Sequence, residues 1–405
     1  MSNTTEIKEQ NFLKIIQAIN HTKIATKPEI ARLSSLTSVT VHNFINELLA
    51  CGACTKTGNA QSNGGRKAAL YKISENFGFI IGVELCRLCI KTAVFNLSLE
   101  RIYYSEVPCS LPNVSDTMAL LIDCIKTAIE KMKIPNSKYF GIGILLPGNV
   151  DKKNGIVIRL PDIPSWTNIP VKSLIEEQIG LSVFADNDSN ARALSAKWTN
   201  LISDTADAVF FSVTDGVGIG VLLGGKLHYG TNSYAGEIGH TTIQFNGPLC
   251  KCGNRGCIEA MTSDAAILER ALSLPDIPPE SSIDDIAALA IKNRKSPVYE
   301  IFKETSAYIS IALDHIVKVY DPEIIIVDNR WLRIMPELFS FVKEHLFTLS
   351  PWFRRDLFTI ILAPNENFTH TSLACPVFES IMTYSPNNIM IRKIKQPCKK
   401  KSVLQ

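Results

Sequence analysis

GEIGHTTIQFNGPLCKCGNRGCIEA, residues Gly236 to Ala260, gathers one histidine, three cysteines and two carboxylates into a single turn-rich stretch. His240, Cys250, Cys252 and Cys257 offer one nitrogen and three sulfurs, with no obvious fifth donor. Zinc favours such a set in tetrahedral geometry, and a shell filled by three thiolates and an imidazole leaves no open position for activating water. The spacing therefore predicts a structural zinc ion held by these four residues. Gly247, Pro248, Gly253 and Gly256 let the backbone fold the thiolates around one point. A histidine bound to metal through one ring nitrogen has the other fixed as a donor, available to a ligand.

The remaining cysteines read differently. Eleven cysteines in 405 residues, behind a polar opening MSNTTEIKEQ with no signal peptide, point to a reducing, cytoplasmic setting in which thiols stay free. Cys86-x-x-Cys89 falls on an expected strand, where positions i and i+3 face opposite sides, so both are expected in the core. Cys51-x-x-Cys54 has no second ligand pair nearby and is read the same way. Hydrophobic content of 46% with 20% charged residues describes a chain with ample core. No apolar run approaches the ~20 residues of a membrane-spanning helix, so no membrane partner is expected.

Net charge is only +3, but up to Ile80 nine basic side chains face five acidic ones, so the excess sits at the front. There Phe12, Leu13, Ile15, Ile16 and Ile19 recur with helical period. A second helix is expected over Lys27–Leu33, with Thr26 as N-cap and Pro28 in its first turn. A third is expected over Ser38–Ala50, with Val41, Phe44, Ile45 and Leu48 on one face and Thr40, His42, Asn43 and Asn46 on the other. Two extended runs, Ala53–Thr57 and Ala69–Ile73, flank the glycine-rich GNAQSNGGRK. This is the pattern of a winged helix-turn-helix that lays its third helix in the major groove of operator DNA. Thr40, His42, Asn43 and Asn46 are the candidate base readers, Asn43 being able to pair two ways with adenine. Lys27, Arg66 and Lys67 are candidate phosphate and minor-groove contacts. A three-helix interaction domain with a charged loop is the alternative; helix spacing, wing and basic excess together favour DNA.

After Glu75 strands and amphipathic helices alternate, which predicts mixed sheets flanked by helices. Strands that end in Gly, Asn and Asp put a ligand cleft at their carboxyl edge. GEIGH at Gly236–His240, CKCGNRGCIE at Cys250–Glu259, NDSNARAL at Asn187–Leu194 and PGNVD at Pro147–Asp151 resemble the ROK family of sugar-responsive repressors and sugar kinases. An N-terminal winged helix followed by GGRK is similar to the repressor branch, which includes the xylose and N-acetylglucosamine repressors.

The resemblance implies an α/β fold. A winged helix-turn-helix over residues 1–75 would precede a two-lobed actin- and hexokinase-like (ribonuclease H-like) body with a structural zinc site. The first lobe is expected over residues 76–187, with a C-terminal helix near 380–394 returning to it, the second over 188–380, and a basic tail over 395–405. It implies that Gly148, Asn187, Asp188, Glu237, His240 and Glu259 hold a sugar or sugar derivative, whose vicinal hydroxyls suit paired acceptors and donors. In the family's kinases Asp188 would be the general base toward the attacking hydroxyl.

Phosphoryl transfer also needs backbone donors around the nucleotide phosphates. The family's first phosphate loop, Asp-x-Gly-Gly-Thr, aligns with Glu84-Leu85-Cys86-Arg87-Leu88, which lacks both glycines and the threonine. The second keeps Gly216, Gly218 and Gly220 but has Asp215 in place of a threonine, and Asp328-Asn329 replace paired glycines near the adenine. Asp162 stands where many relatives have asparagine. The expectation is a sugar-responsive repressor of carbohydrate-utilisation genes, without kinase activity, acting as a homodimer or homotetramer. The competing expectation is an ATP-dependent sugar kinase with a degenerate phosphate loop.

Overall fold

The computed structural model describes residues 2–61, 67–111, 113–160 and 163–395. In chain order, α1 (Ser2–Thr22), β1 (Ala25–Thr26), α2 (Lys27–Ser34), α3 (Ser38–Ala50), β2 (Cys54–Asn59) and β3 (Ala69–Ile73) come first. Then follow β4 (Phe79–Leu85), β5 (Cys89–Asn96), β6 (Arg101–Pro108), α4 (Val114–Met132), β7 (Tyr139–Leu146), β8 (Asn149–Asp151), β9 (Ile156–Leu160), β10 (Ile163–Ile169), α5 (Val171–Ile179) and β11 (Val183–Asn187). After these come α6 (Asp188–Trp198), β12 (Ala208–Val213), β13 (Val217–Leu223), β14 (Lys226–Leu227), α7 (Ile258–Thr262), α8 (Asp264–Leu272), α9 (Ile283–Lys292) and α10 (Pro297–Tyr320). The chain ends with β15 (Ile324–Asp328), α11 (Arg330–Ile334), α12 (Pro336–Leu349), β16 (Thr359–Leu362), α13 (Glu366–Thr371), α14 (Cys375–Met382) and α15 (Ile389–Lys395).

The chain divides into two compact units, one of residues 1–158, 168–186 and 371–405, the other of residues 159–167 and 187–370. The first begins with a small three-helix body. Thr26 and Glu29 cap α2 reciprocally, the Thr26 amide donating to Glu29 Oε2 at 2.7 Å. Thr37 caps α3, whose Val41, Phe44, Ile45 and Leu48 are buried, Phe44 meeting Phe12 of α1 edge to face. Beside these helices lies a three-stranded sheet of order β1-β3-β2. Helix α1 is also tied to the end of the chain: Gln17 Nε2 donates to the Met382 carbonyl at 2.9 Å, and Lys395 pairs with Glu9 at 2.5 Å.

This unit also carries a five-stranded sheet of order β11-β7-β4-β5-β6. Every residue of β4 and β7 is buried, as in strands covered on both faces. The second unit carries a sheet of order β14-β13-β12-β15-β16. In both sheets the first three strands form an antiparallel meander, and a later strand joins the first of them in parallel. The same scheme thus occurs twice in one chain. The second sheet packs on a core that includes Phe211, Ile258, Phe302, Leu313 and Trp331.

One expectation is corrected. Cys86 and Cys89 do not share one strand: Cys86 follows β4 and Cys89 opens β5, on either side of the two-residue turn Arg87-Leu88, where the Cys86 amide donates to the Cys89 carbonyl at 2.9 Å. Both are half-buried rather than core residues, because a hairpin tip has only one covered side. Cys54 is buried, and burial pushes its thiol up to about 11, while Cys51 is half-buried.

Candidate functional site

The four expected metal ligands come together in the second unit. Backbone knuckles do this: the Cys250 amide donates to the Asn254 carbonyl at 2.7 Å, the Gly253 amide returns to the Cys250 carbonyl at 2.9 Å, and bridges join Thr242 to Cys257 and Leu249 to Arg255. The ligand atoms of His240, Cys250, Cys252 and Cys257 all lie within 4.8 Å of one another. Cys250 Sγ is 3.6 Å from His240 Nδ1, and Cys252 Sγ is 3.8 Å from Cys257 Sγ. Bonds of about 2.3 Å at a tetrahedral angle give edges of roughly 3.7 Å, so the cluster has the dimensions of a four-coordinate metal shell. Burial, first, and the neighbouring sulfurs raise the Cys257 thiol well above its ordinary range, and burial raises Cys250. A cation at the centre would reverse that balance by stabilising thiolates.

The His/Cys cluster is continuous with two of the candidate ligand residues, His240 and Glu237. His240 turns Nδ1 to Cys250, which leaves Nε2 facing Glu237 Oε2 at 3.9 Å. The Gly236–His240 segment lies along β13, with the Ile219 amide donating to the Gly236 carbonyl at 3.1 Å. Gly236 has φ +103°, and a side chain there would run into the Ile219 carbonyl, so only glycine permits this approach. The start of α6 also packs on β13. Asn187 caps it, its Oδ1 accepting from the Ser189 amide at 2.8 Å, and Asp188 opens its first turn. A Cβ on Gly218 would stand 3.1 Å from Ser189 Oγ and 3.9 Å from the Gly236 carbonyl. One on Gly220 would meet the Ser189 carbonyl and, at 2.7 Å, Ala193 Cβ. These two glycines therefore belong to β13 and let α6 and the Gly236–His240 segment close onto it.

Glu259 takes another position. Its Oε2 accepts from the Val217 amide at 3.1 Å and lies 3.7 Å from where a Gly216 side chain would begin. The carboxylate thus holds the β12–β13 turn. Gly148, in the first unit, sits at φ +81° in the turn between β7 and β8. Asp162 lies outside the described residues.

Where the resemblance expects nucleotide contacts, the second unit is filled by charge. Asp215 is exposed at the β12–β13 turn. Asp264, at the start of α8, is buried; Arg330 reaches its Oδ2 at 3.3 Å and Asp284 at 3.2 Å. Burial raises the Asp264 carboxyl to about 6, Arg330 opposing and Asp215 and Asp284 adding to the rise. Asp328 pairs with Arg333, and the fully buried Asn329 donates to the Val213 carbonyl at 2.8 Å while its Oδ1 caps α11.

The N-terminal body presents His42, Asn43 and Asn46 as exposed residues of α3, with Thr40 half-buried and hydroxyl-bonded to Thr37 at 2.8 Å. Lys27 Nζ lies 3.1 Å from His42 Nδ1, so these two candidate contacts are neighbours. Lys67 is exposed, and Arg66 falls outside the described residues. One residue that sequence reasoning passed over is Arg192, whose Nη1 is 2.5 Å from Asp188 Oδ2. The signal was an aspartate and an arginine four apart on a helix, a spacing that brings side chains together.

The ROK family model matches residues 80–348. The xylose repressor of Caldicellulosiruptor bescii is 30% identical over 341 residues, 82% of this chain and 85% of the repressor. The DNA-binding transcriptional dual regulator NagC of Escherichia coli is 27% identical over 275 residues, 68% of this chain and 67% of NagC. Among solved structures, a ROK family transcriptional regulator homologous to the Escherichia coli MLC protein aligns with a TM-score of 0.77 at 22% identity. That match covers 96% of this chain and 99% of the regulator. Among the described residues no helix is long and apolar enough to cross a membrane.

Proposed function

Because this chain belongs to the ROK family, we propose that it is a sugar-responsive, DNA-binding transcription regulator, a repressor that does not transfer phosphate. The observation that carries the reading is the front of the chain. Helix α3 buries Val41, Phe44, Ile45 and Leu48 and exposes His42, Asn43 and Asn46, next to a small sheet that ends near Lys67. This arrangement supports a winged helix-turn-helix, in which Thr40, His42, Asn43 and Asn46 read bases and Lys27, Arg66 and Lys67 grip backbone. The named repressors it resembles support that assignment. Two copies, as a homodimer or within a homotetramer, read two half-sites in the cytoplasm, and an effector that favours one spacing of the readers shifts the balance between bound and free operator.

The effector is a sugar or sugar derivative held by Gly148, Asn187, Asp188, Glu237, His240 and Glu259. Zinc on His240, Cys250, Cys252 and Cys257 is structural: it fixes the His240 ring so that Nε2 serves the ligand side, beside Glu237. Gel-shift titration with operator DNA and a panel of sugars tests the reading. Release of DNA by one sugar supports it, and absence of DNA binding at low salt sinks it.

The persistence of Asp188 favours a second reading, an ATP-dependent sugar kinase. Against it stand the exposed Leu88 at the tip of the β4–β5 hairpin, the charge of the exposed Asp215, and the engaged Asn329. A carboxylate such as Asp215 beside a nucleotide phosphate, with no cation between them, repels it by a few kcal/mol at about protein-like dielectric. A coupled assay for ADP release across hexoses and N-acetylhexosamines separates the two, since turnover at ordinary enzyme rates would establish the kinase.

A further inference from the structure

Asp188 is already engaged on both oxygens. Its Oδ1 accepts from the Ser189 amide at 2.8 Å, and its Oδ2 receives Arg192 Nη1 at 2.5 Å. The Arg192 side chain is 11% exposed and that of Asp188 29%, so the pair lies at the edge of the interior rather than in open solvent. The helix dictates this contact. Residues i and i+4 share a face, and helical side chains lean toward the N-terminus, which carries the Arg192 guanidinium back over the first turn of α6. The backbone beneath is fixed as well, because Ser189 and Ala193 bear on Gly220 of β13 and Asn187 caps the helix. The backbone that carries both partners is thereby held in place.

We propose that Arg192 is a positioning residue of the effector site: it holds the Asp188 carboxylate as a fixed, charge-balanced acceptor for one hydroxyl of an uncharged sugar. The inference rests on the sugar-site reading above and adds to it a residue and a ligand class. A carboxylate has about four lone-pair positions, so with two donors attached it still accepts a ligand hydroxyl. Taking a proton from that hydroxyl is another matter, since it would separate a partly buried cation from the anion that neutralises it. The ion pair therefore suits recognition and opposes general-base chemistry. The same balance sets the ligand's charge. Asp188 asks no cation of its ligand, and the Gly236 carbonyl and Ser189 hydroxyl flank one point on β13, which puts the segment bearing Glu237 next to α6. An anionic sugar would meet that second carboxylate.

Calorimetric titration of the full chain with D-xylose, D-glucose and N-acetyl-D-glucosamine, and with the monodeoxy, phosphorylated and uronic acid forms of whichever binds, tests the proposal on wild type, Arg192→Gln and Arg192→Lys. In the wild type one deoxy form should bind about 10- to 100-fold more weakly than its parent, the worth of a hydrogen bond to a charged acceptor. In Arg192→Gln that discrimination should collapse at the one hydroxyl while persisting at the others, and Arg192→Lys should restore part of it. Equal weakening at every hydroxyl, no change at all, or preference for an anionic sugar that disappears in Arg192→Gln overturns the proposal. If no carbohydrate binds the wild type, the sugar-site reading falls and this inference with it, whereas binding with an unaltered deoxysugar profile sinks the inference alone. Should Arg192→Gln not fold, Arg192→Lys decides, because it keeps the charge but not the planar fork and must blur the same single hydroxyl.

Discussion

The imidazole of His240 links the cysteine cluster to Glu237: Nδ1 faces Cys250 Sγ at 3.6 Å, and Nε2 faces the Glu237 carboxylate at 3.9 Å. A metal on the first nitrogen fixes which protons the second can offer. Metal loss should therefore reach sugar recognition as well as stability. Cys257→Ser, which removes one of four ligands at the buried end of the cluster, is expected to lower the melting temperature by roughly 6–12 °C, the equivalent of about 3 kcal/mol in a domain of this size. It should also lower bound zinc, measured by atomic emission, well below one ion per chain. Full zinc content in this variant would contradict the four-ligand site.

Gly220 gives a prediction of a different kind. A methyl group at this position meets the Ser189 carbonyl and Ala193 Cβ, both on a helix that is itself capped and packed. Gly220→Ala should cost about 1–3 kcal/mol by overpacking. Because the displaced element carries Asn187 and Asp188, sugar affinity should drop along with the urea midpoint. A stable variant with unchanged affinity would mean that α6 can shift without consequence for the ligand.

The sequence marks some of this well and some poorly, and the reason is distance along the chain. Helix α3 is legible to the residue because its cap, its apolar face and its stop are all local. The cysteine cluster is legible too, since three of its ligands lie within eight residues. Helix α1 begins at Ser2, well before its first apolar residue, because its polar opening turns carry no hydrophobic periodicity to read. Gly218 and Gly220 look like phosphate-loop glycines in the sequence, yet they lie inside β13 beneath α6, a contact that only tertiary packing creates. Arg330 finds Asp264 and Asp284 from far along the chain, and nothing in the spacing announces the pairing.

Asp264 predicts a pH dependence. Its carboxyl sits at about 6 in the folded chain, raised from 3.8 chiefly by burial. Between about pH 4 and 6 the folded state therefore holds a proton that the unfolded state has released, so stability falls as pH rises through that window. The penalty is fully present above about pH 6 and is on the order of 3 kcal/mol. Asp264→Asn removes the titration, so the melting temperature of the variant relative to wild type should rise steadily from about pH 4 to 6.5 and then level off. A difference that stays flat across the range would show that Asp264 does not titrate there.

Asn43 of α3 and Lys27 of α2 stand for two kinds of contact in the proposed DNA-binding surface. Asn43 projects from α3, which carries no lysine or arginine of its own, so any sequence preference it contributes comes from hydrogen bonds to a base edge. Asn43→Ala should weaken operator binding by about 1–3 kcal/mol, relax selectivity at one or two base positions and leave non-specific binding nearly unchanged. Lys27, 3.1 Å from His42, is a charge without base geometry. Lys27→Gln should weaken operator and random DNA alike and reduce the slope of log affinity against log salt by about one. Fluorescence anisotropy with operator and scrambled duplexes at several salt concentrations measures both. If the two substitutions produce the same pattern, α3 does not lie in the groove as the reader, and base recognition has to come from another element of the N-terminal body.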